Sequence, residues 1–400
     1  MRSRKPRTTL ALAGVTALGL VAAACGDDSS GSGATTTAAA TTAAPTTTAA
    51  ATTAAPTTAA PTTAAATTTT TKAPTVDYKS LKGTLNGSGA TFPKAFYDEA
   101  IAEFKKVAPG VTVNYGGGGS GKGRQDFADQ VTDWGGTDGV VKAEDKPKYK
   151  GGDFVYIPTV IAPITMAYNV DGVDKLQLSP DTIAKIFQLQ VKTWNDPAIA
   201  ADNPNVKLPD TPITVAVRAD SSGTTENFSI FLDLASGDAA SKAWALKRGS
   251  TIQWPAGVQA GQGNSGVAKI VKDTKGGIGY VDFSDAKATG LKAAAVKNKA
   301  GKFVAPTLEA TTAAAEGAKI NDDLTFGLAW ADGEKSYPIA AQTWILAYKK
   351  IADPDKAAAL RGFLTWILTD GQKLAPKIDF APLPGVIDDK ALAAVKTIGA

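Results

Sequence analysis

The chain predicts an α/β protein on three observations. After residue 76, β-rich runs alternate with segments of helical period, glycine-rich turns stand where strands would pass into helices, and 400 residues exceed one ordinary core. Two domains of conventional size follow from that length. Composition then narrows the chemistry. The chain has no histidine, which removes His-based triads, His-zinc sites and imidazole acid/base work. Its single cysteine, Cys25, leaves no internal disulfide, cysteine metal cluster or Cys-His nucleophile. The formal charge of +4 comes from Arg2, Arg4, Lys5 and Arg7; without those four, 38 basic residues balance 38 acidic ones, and no broad nucleic-acid-binding face is implied.

Residues 1–24 have the layout of a secretion signal: a basic start, an apolar run from Thr8 to Ala24, and small residues directly before Cys25. The segment resembles a bacterial lipoprotein signal, in which the cysteine is lipidated and becomes the new N-terminus, although Ala22 stands where Leu is more usual. A plain signal peptide or a short membrane helix are the alternatives. The run is shorter than the ~18 apolar residues that a spanning helix needs, and no later stretch qualifies. From Ser29 to about Thr75 the chain is almost wholly Ser, Gly, Thr, Ala and Pro, too poor in large apolar residues to offset the entropy of ordering. Pro45, Pro56 and Pro61 keep it extended, so residues 25–76 read as a lipidated cysteine and a disordered tether, glycosylated stalk or inert filler ahead of the fold.

In the body, strands are expected at Val111–Tyr115, Phe154–Ile157, Ile164–Tyr168, Ile213–Val217 and Trp344–Tyr348. Helices are expected at Lys94–Val107, with Phe96, Ala100, Phe104 and Val107 on its buried face, and at Asp181–Phe187 and Glu226–Leu234. A further helix is expected at Pro354–Thr369, burying Leu360, Phe363, Leu364 and Ile367. The Trp and Phe residues of these runs are assigned to the core.

Four segments could carry chemistry. Asn86-Gly-Ser-Gly-Ala-Thr-Phe-Pro93 opens the Lys94 helix, placing Thr91 and Phe92 where free N–H groups and the helix dipole favour an anion; a capped helix after a glycine turn is the plainer reading. Gly116-Gly-Gly-Gly-Ser-Gly-Lys-Gly-Arg124 mimics both a P-loop and a dinucleotide fingerprint before a helix around Gln125–Val131. Gly123 occupies the position where a P-loop needs a hydroxyl for magnesium, so what survives is an anion-wrapping or merely flexible loop with Ser120 as its hydroxyl. Asp133-Trp-Gly-Gly-Thr-Asp138 is turn-rich, and its carboxylates are as expected for turns as for function. Arg218-Ala-Asp-Ser-Ser-Gly-Thr-Thr225 joins a strand to a helix. There Ser222 and Thr224 offer hydroxyls, Gly223 permits backbone approach, Arg218 supplies a guanidinium fork and Asp220 could hold it; a helix cap is the alternative. The common denominator is a dehydrated anion, and with no base beside Ser120 or Ser222, binding is favoured over turnover.

These residues carry a resemblance. Gly87-Ser-Gly-Ala-Thr-Phe-Pro93, Tyr115 through Gly121, Thr137-Asp138, Trp194-Asn-Asp-Pro-Ala-Ile199, Arg218-Ala-Asp-Ser-Ser-Gly-Thr224, Gly263-Asn-Ser-Gly-Val267 and Gly276-Gly-Ile-Gly-Tyr280 resemble the phosphate-binding proteins of bacterial ABC phosphate importers, in order from about Leu85 to Pro384. The resemblance implies a type II periplasmic-binding-protein fold: two α/β lobes on a two-strand hinge, residues 77–166 with 339–400 and residues 167–338, closing over one inorganic phosphate. It implies phosphate contacts from Thr91, Phe92 (through its backbone), Ser120, Asp138, Arg218, Ser222, Gly223 and Thr224, with Asp220 supporting Arg218. It implies no cofactor and no metal, a monomer lipid-anchored through Cys25 outside the cytoplasmic membrane, and the importer's permease subunits as partners. Around Asp138 the family more often has Phe-Gly-Ala-Ser-Asp followed by a small residue and Pro; here Trp-Gly-Gly-Thr-Asp-Gly-Val leaves the loop shape open.

A carboxylate beside an oxyanion repels it unless the ligand brings a proton to share. Asp138 is therefore expected to exclude fully ionised sulfate, and an unpaired buried acceptor can be worth about 10⁴ in selectivity. The rival expectations are a receptor for another oxyanion on this fold, a secreted phosphatase, and a surface protein whose stalk is the working part.

Overall fold

The computed structural model describes residues 75–399, so the signal segment, Cys25 and all but the end of the Thr/Ala/Pro-rich tether lie outside the described residues. From its start the chain alternates strand and helix. Strand β1 (Gly83–Gly89) turns through Thr91-Phe-Pro93 into α1 (Lys94–Val107), β2 (Val111–Gly116) passes into α2 (Ser120–Ala128), and β3 (Trp134–Thr137) precedes the long β4 (Phe154–Asn169). Next come β5 (Gln177–Leu178), α3 (Pro180–Phe187), α4 (Pro197–Asp202), β6 (Thr214–Arg218), α5 (Gly223–Ser236), β7 (Gln259–Gly261) and α6 (Gly263–Asp273). Then follow β8 (Gly277–Asp282), α7 (Phe283–Ala288), β9 (Lys292–Lys297), β10 (Phe303–Val304) and α8 (Leu308–Ala315). The chain returns along β11 (Ala340–Tyr348) and ends in α9 (Pro354–Leu368), α10 (Asp370–Leu374) and α11 (Gly385–Val395).

Strand β4 explains the two-lobed α/β architecture. Its first half, Phe154–Pro163, runs antiparallel to β11, which also pairs β3; β3 lies beside β1, and β1 beside β2, both parallel. Its second half, Ile164–Asn169, changes partners to β8 and β9, and β8 continues through parallel β6 to β7. The β4 backbone is thus shared by two sheets. Sequence reading split it at Pro158 and Pro163 into two strands; it is one, because Ile164 N–H finds the Ile339 carbonyl at 2.9 Å and the ladder to β11 carries past the prolines. Tyr337 adds a hydroxyl donated to the Ile164 carbonyl at 3.0 Å, tying the returning chain to β4 where it changes partners.

Local sequence accounts for the helices. Ser179, Asp196 and Asp353 cap α3, α4 and α9 with side-chain acceptors, each followed by Pro at the first position, where a missing N–H costs nothing. In α1, Phe96, Tyr97, Ala100 and Phe104 are buried, Phe96 beside Phe380 and Phe104 beside Phe363, whereas Val107, expected in the core, is 38% exposed because the helix end has reached the surface. Pro93 sits at the cap of α1, one place before the first helical position. Of the Trp and Phe residues assigned to the core, Trp344, Trp366, Phe96, Phe104, Phe187, Phe228, Phe231 and Phe363 are buried and Phe154 is half-buried; Trp134 and Trp194 are fully buried as well.

Two helices begin earlier than the sequence suggested, and both shifts matter. Helix α2 starts at Ser120, not near Gln125, so Lys122 and Arg124 belong to a helix and the wrapping loop shortens to Gly117–Gly119. Gly119 holds φ +90°, a backbone that admits the abrupt entry into α2 and that a side chain would resist. Helix α5 starts at Gly223 instead of Glu226, which converts Ser222 into its cap.

Candidate functional site

Four helix starts converge between the two sheets: the Thr91-Phe92 turn before α1, Ser120 at α2, Ser222-Gly-Thr224 at α5 and Gly263-Asn264 at α6. Hydrogen bonds across the cleft fix their distances. Gly121 N–H donates to the Ser221 carbonyl at 2.9 Å, and Asn264 donates from its backbone N–H and from Nδ2 to Thr91 Oγ1, both at 3.3 Å. Gly223 lies so close to the opposite wall that a Cβ there would stand 2.4 Å from Ser120 Oγ and 2.6 Å from Asp138 Oδ2. The structure is therefore closed over the site.

Asp138 is 2% exposed. Its Oδ1 accepts from Thr343 Oγ1 at 2.7 Å and its Oδ2 from Ser120 Oγ at 3.2 Å, while Asn227 Nδ2 holds its carbonyl at 2.8 Å. Burial pushes its carboxyl up from 3.8 to about 7, against the Thr343 bond and the Arg218 charge, which both act to lower it. The group stands poised to gain or lose a proton near neutrality. The loop that the family comparison left open is closed by Thr137, whose hydroxyl donates to the Gly139 carbonyl at 2.8 Å.

Arg218 is held as a fork. Its Nε donates to Asp220 Oδ1 at 2.9 Å, Nη2 bonds Asp220 Oδ2, and Nη1 reaches Thr224 Oγ1 at 3.2 Å. Asp220 Oδ1 also accepts from Gly263 N–H at 3.1 Å, and Tyr280 OH accepts from Arg218 N–H at 3.0 Å, so backbone and side chain are both fixed. Because Asp220 already neutralises the guanidinium, attraction for an anion rests on oriented N–H and O–H donors more than on net charge. The first N–H groups of α5, from Gly223 and Thr224, have no intrahelical acceptor. Ser222 Oγ accepts from Thr225 N–H at 3.1 Å, so the capping role is real and the hydroxyl proton stays available.

Thr91, Phe92, Ser120, Asp138, Arg218, Ser222, Gly223 and Thr224 lie at this cleft, and Asp220 braces Arg218 beside it. Phe92 is fully buried with its ring edge-on to Phe380 at 6.2 Å, leaving only its backbone to face a ligand. Other candidates fall away: Lys122 turns outward to Asp126, Arg124 pairs with Glu226 at 3.5 Å, and Asp133 takes Asn86 N–H and Lys356 Nζ. Sequence reasoning missed Thr343, Asn227 and Asn264, all buried. Gln342 and Thr343 interrupt an otherwise apolar strand, which is a signal for buried polar work. Among the described residues no group of acidic or sulfur ligands could hold a metal ion, and no helix is long and apolar enough to cross a membrane.

Comparison with known proteins follows the same line. A family model described as a PBP superfamily domain matches residues 35–371. The phosphate-binding protein PstS of Methanocaldococcus jannaschii is 39% identical over 343 residues, covering 78% of this chain and 86% of that one. The chain belongs to the PstS family of phosphate-binding proteins. A PstS of Pasteurella multocida is 35% identical over 78% of this chain and 90% of its own length. In fold, this PstS-family chain matches a high affinity periplasmic phosphate-binding protein solved with phosphate, at TM-score 0.64 and 23% identity over 78% of this chain and 93% of that one. The relatives are binding proteins by name, and the type II periplasmic-binding-protein architecture expected from the sequence is the one observed.

Proposed function

We propose that this protein captures inorganic phosphate outside the cytoplasm and delivers it to the permease subunits of an ABC importer, without catalysing a reaction. The observation that carries this reading is the pairing, in one closed cleft, of a near-neutral carboxyl, Asp138, with a fixed guanidinium, Arg218, and unspent N–H donors at the start of α5. A monoprotonated oxyanion answers both: its O–H meets Asp138 and its bare oxygens meet the donors.

In this reading phosphate is held by Thr91, the Phe92 N–H, Ser120, Asp138, Arg218, Ser222, Gly223 and Thr224, and Asp220 braces Arg218. Residues 77–166 with 339–400 form one lobe and 167–338 the other. An anion gripped from both sides favours the closed form by its differential affinity for it, and closure about β4 and the return into β11 presents the form an importer recognises. Cys25 carries the lipid, residues 25–76 lift the body from the membrane surface, and the protein works as a monomer. Support comes from the PstS relatives and from the placement of these residues around one cleft.

Calorimetric titration of ligand-stripped protein with phosphate, and again with sulfate present at pH 9, tests the proposal. One-to-one phosphate binding that survives the sulfate is expected. A folded, stripped sample that ignores phosphate, or that steadily releases it from esters, refutes the reading.

A further inference from the structure

Asn264 touches two of the hydroxyls assigned to the ligand but was not itself assigned to it. It is fully buried at the start of α6. Its Oδ1 accepts from Asp282 N–H at 3.4 Å, which fixes the amide's orientation, since that backbone group can only donate. Nδ2 therefore faces the cleft, and its two hydrogens go to Thr91 Oγ1 at 3.3 Å and Thr224 Oγ1 at 3.1 Å.

The consequence lies in hydroxyl arithmetic. A hydroxyl has two acceptor lone pairs and one proton. Thr91 Oγ1 accepts from Asn264 N and Nδ2, and Thr224 Oγ1 accepts from Arg218 Nη1 and Asn264 Nδ2, so both lone pairs of each oxygen are filled. Neither hydroxyl donates to any group among the described residues. Each proton is left for a ligand.

We propose that Asn264 is a positioning residue that makes Thr91 and Thr224 obligate donors and so gives the cleft a polarity. This inference rests on the phosphate reading above. The ligand must turn bare oxygens toward Asn264's side, and its O–H is left for Asp138. Thr91 and Thr224 alone could each rotate and accept; with Asn264 present that choice is removed. Selectivity for a singly protonated tetrahedral anion is then built from two opposed halves, a donor half ordered by Asn264 and an acceptor half at Asp138.

Phosphate titrations of wild type, Asn264→Ala, the pair Thr91→Val/Thr224→Val, and all three changes together test it, with thermal melts of each unliganded protein. Asn264→Ala is expected to weaken phosphate binding roughly 10- to 100-fold, the worth of one or two lost hydrogen bonds to a charged group. Added to the valine pair, the same change is expected to cost about twofold or less, because the hydroxyls through which it acts are gone. Equal losses in both backgrounds, or no loss in wild type, overturn the inference. Should Asn264→Ala fail to fold, Asn264→Asp keeps the acceptor for Asp282 N–H. It is expected to lose affinity relative to wild type at pH 8 and to recover part of it at pH 5, where the introduced carboxyl can donate; a pH-independent ratio overturns the inference. Wild-type protein that binds no phosphate would instead remove the reading beneath it, and this inference with it.

Discussion

Replacing Asp138 with Asn turns a titrating carboxyl into a neutral amide at the point where the ligand's proton is met. In wild type, a ligand without a proton can be accommodated only if Asp138 takes one from solvent. With its carboxyl pushed up to about 7, that uptake is nearly free at pH 6. It costs about tenfold in affinity at pH 8 and about a hundredfold at pH 9. Phosphate brings its own proton and escapes the charge. Asp138 by itself thus supplies about tenfold discrimination at pH 8, well short of the ~10⁴ that a permanently ionised, unpaired acceptor would supply. The assay is competition calorimetry with sulfate from pH 6 to 9 at constant ionic strength. Wild-type sulfate affinity should fall about tenfold per pH unit above about 7, and the fall should be absent in Asp138→Asn. A flat wild-type profile, or the same slope in the variant, refutes the proton-sharing argument.

Three other outcomes are expected. Gly223→Ala puts a methyl 2.4 Å from Ser120 Oγ, and since residue 223 is helical the change should spare folding but block closure: unliganded melting little altered, phosphate binding lost, and no compaction by small-angle scattering on adding phosphate. Arg218→Lys abolishes the two-point grip on Asp220 and should weaken phosphate roughly 10- to 100-fold, whereas Asp220→Asn, which keeps an acceptor for Gly263 N–H, should cost less; the reverse ranking by titration would contradict the fork. Stability should also carry Asp138's signature. Its folded-state pKa is raised, so the native state binds the extra proton between about pH 4 and 7, and the contribution is whole below about 4 and lost as pH climbs through about 7. Urea unfolding of unliganded protein should therefore show Asp138→Asn gaining on wild type by up to about 4 kcal/mol between pH 4 and 8; a constant difference would be inconsistent with a buried titrating carboxyl.

Much of this was legible in the chain because the site is built from local signals. A hydroxyl-Gly-hydroxyl run after a strand marks a helix start wherever it falls, and Ser222, Gly223 and Thr224 form one here. The absence of histidine and the solitary Cys25 disposed of whole reaction classes without any geometry. What local reading could not supply was register and company. Glycine's poor helix propensity hid the start of α2 at Ser120, and prolines at 158 and 163 hid the continuity of β4, because in each case tertiary contacts outweigh the local preference. Thr343 reaches Asp138 from 205 residues away, and Asn264 reaches Thr91 across 173, distances at which no spacing rule connects a buried polar residue to its partner.

The most direct test of the account is a crystal structure of the protein grown with phosphate. It should show one tetrahedral anion between α1, α2 and α5, with an oxygen in short contact with the Asp138 carboxylate and others within hydrogen-bond distance of Arg218, Thr91, Thr224 and the Gly223 N–H. Phosphate bound elsewhere, or bound with Asp138 rotated away from it, would contradict the site as described.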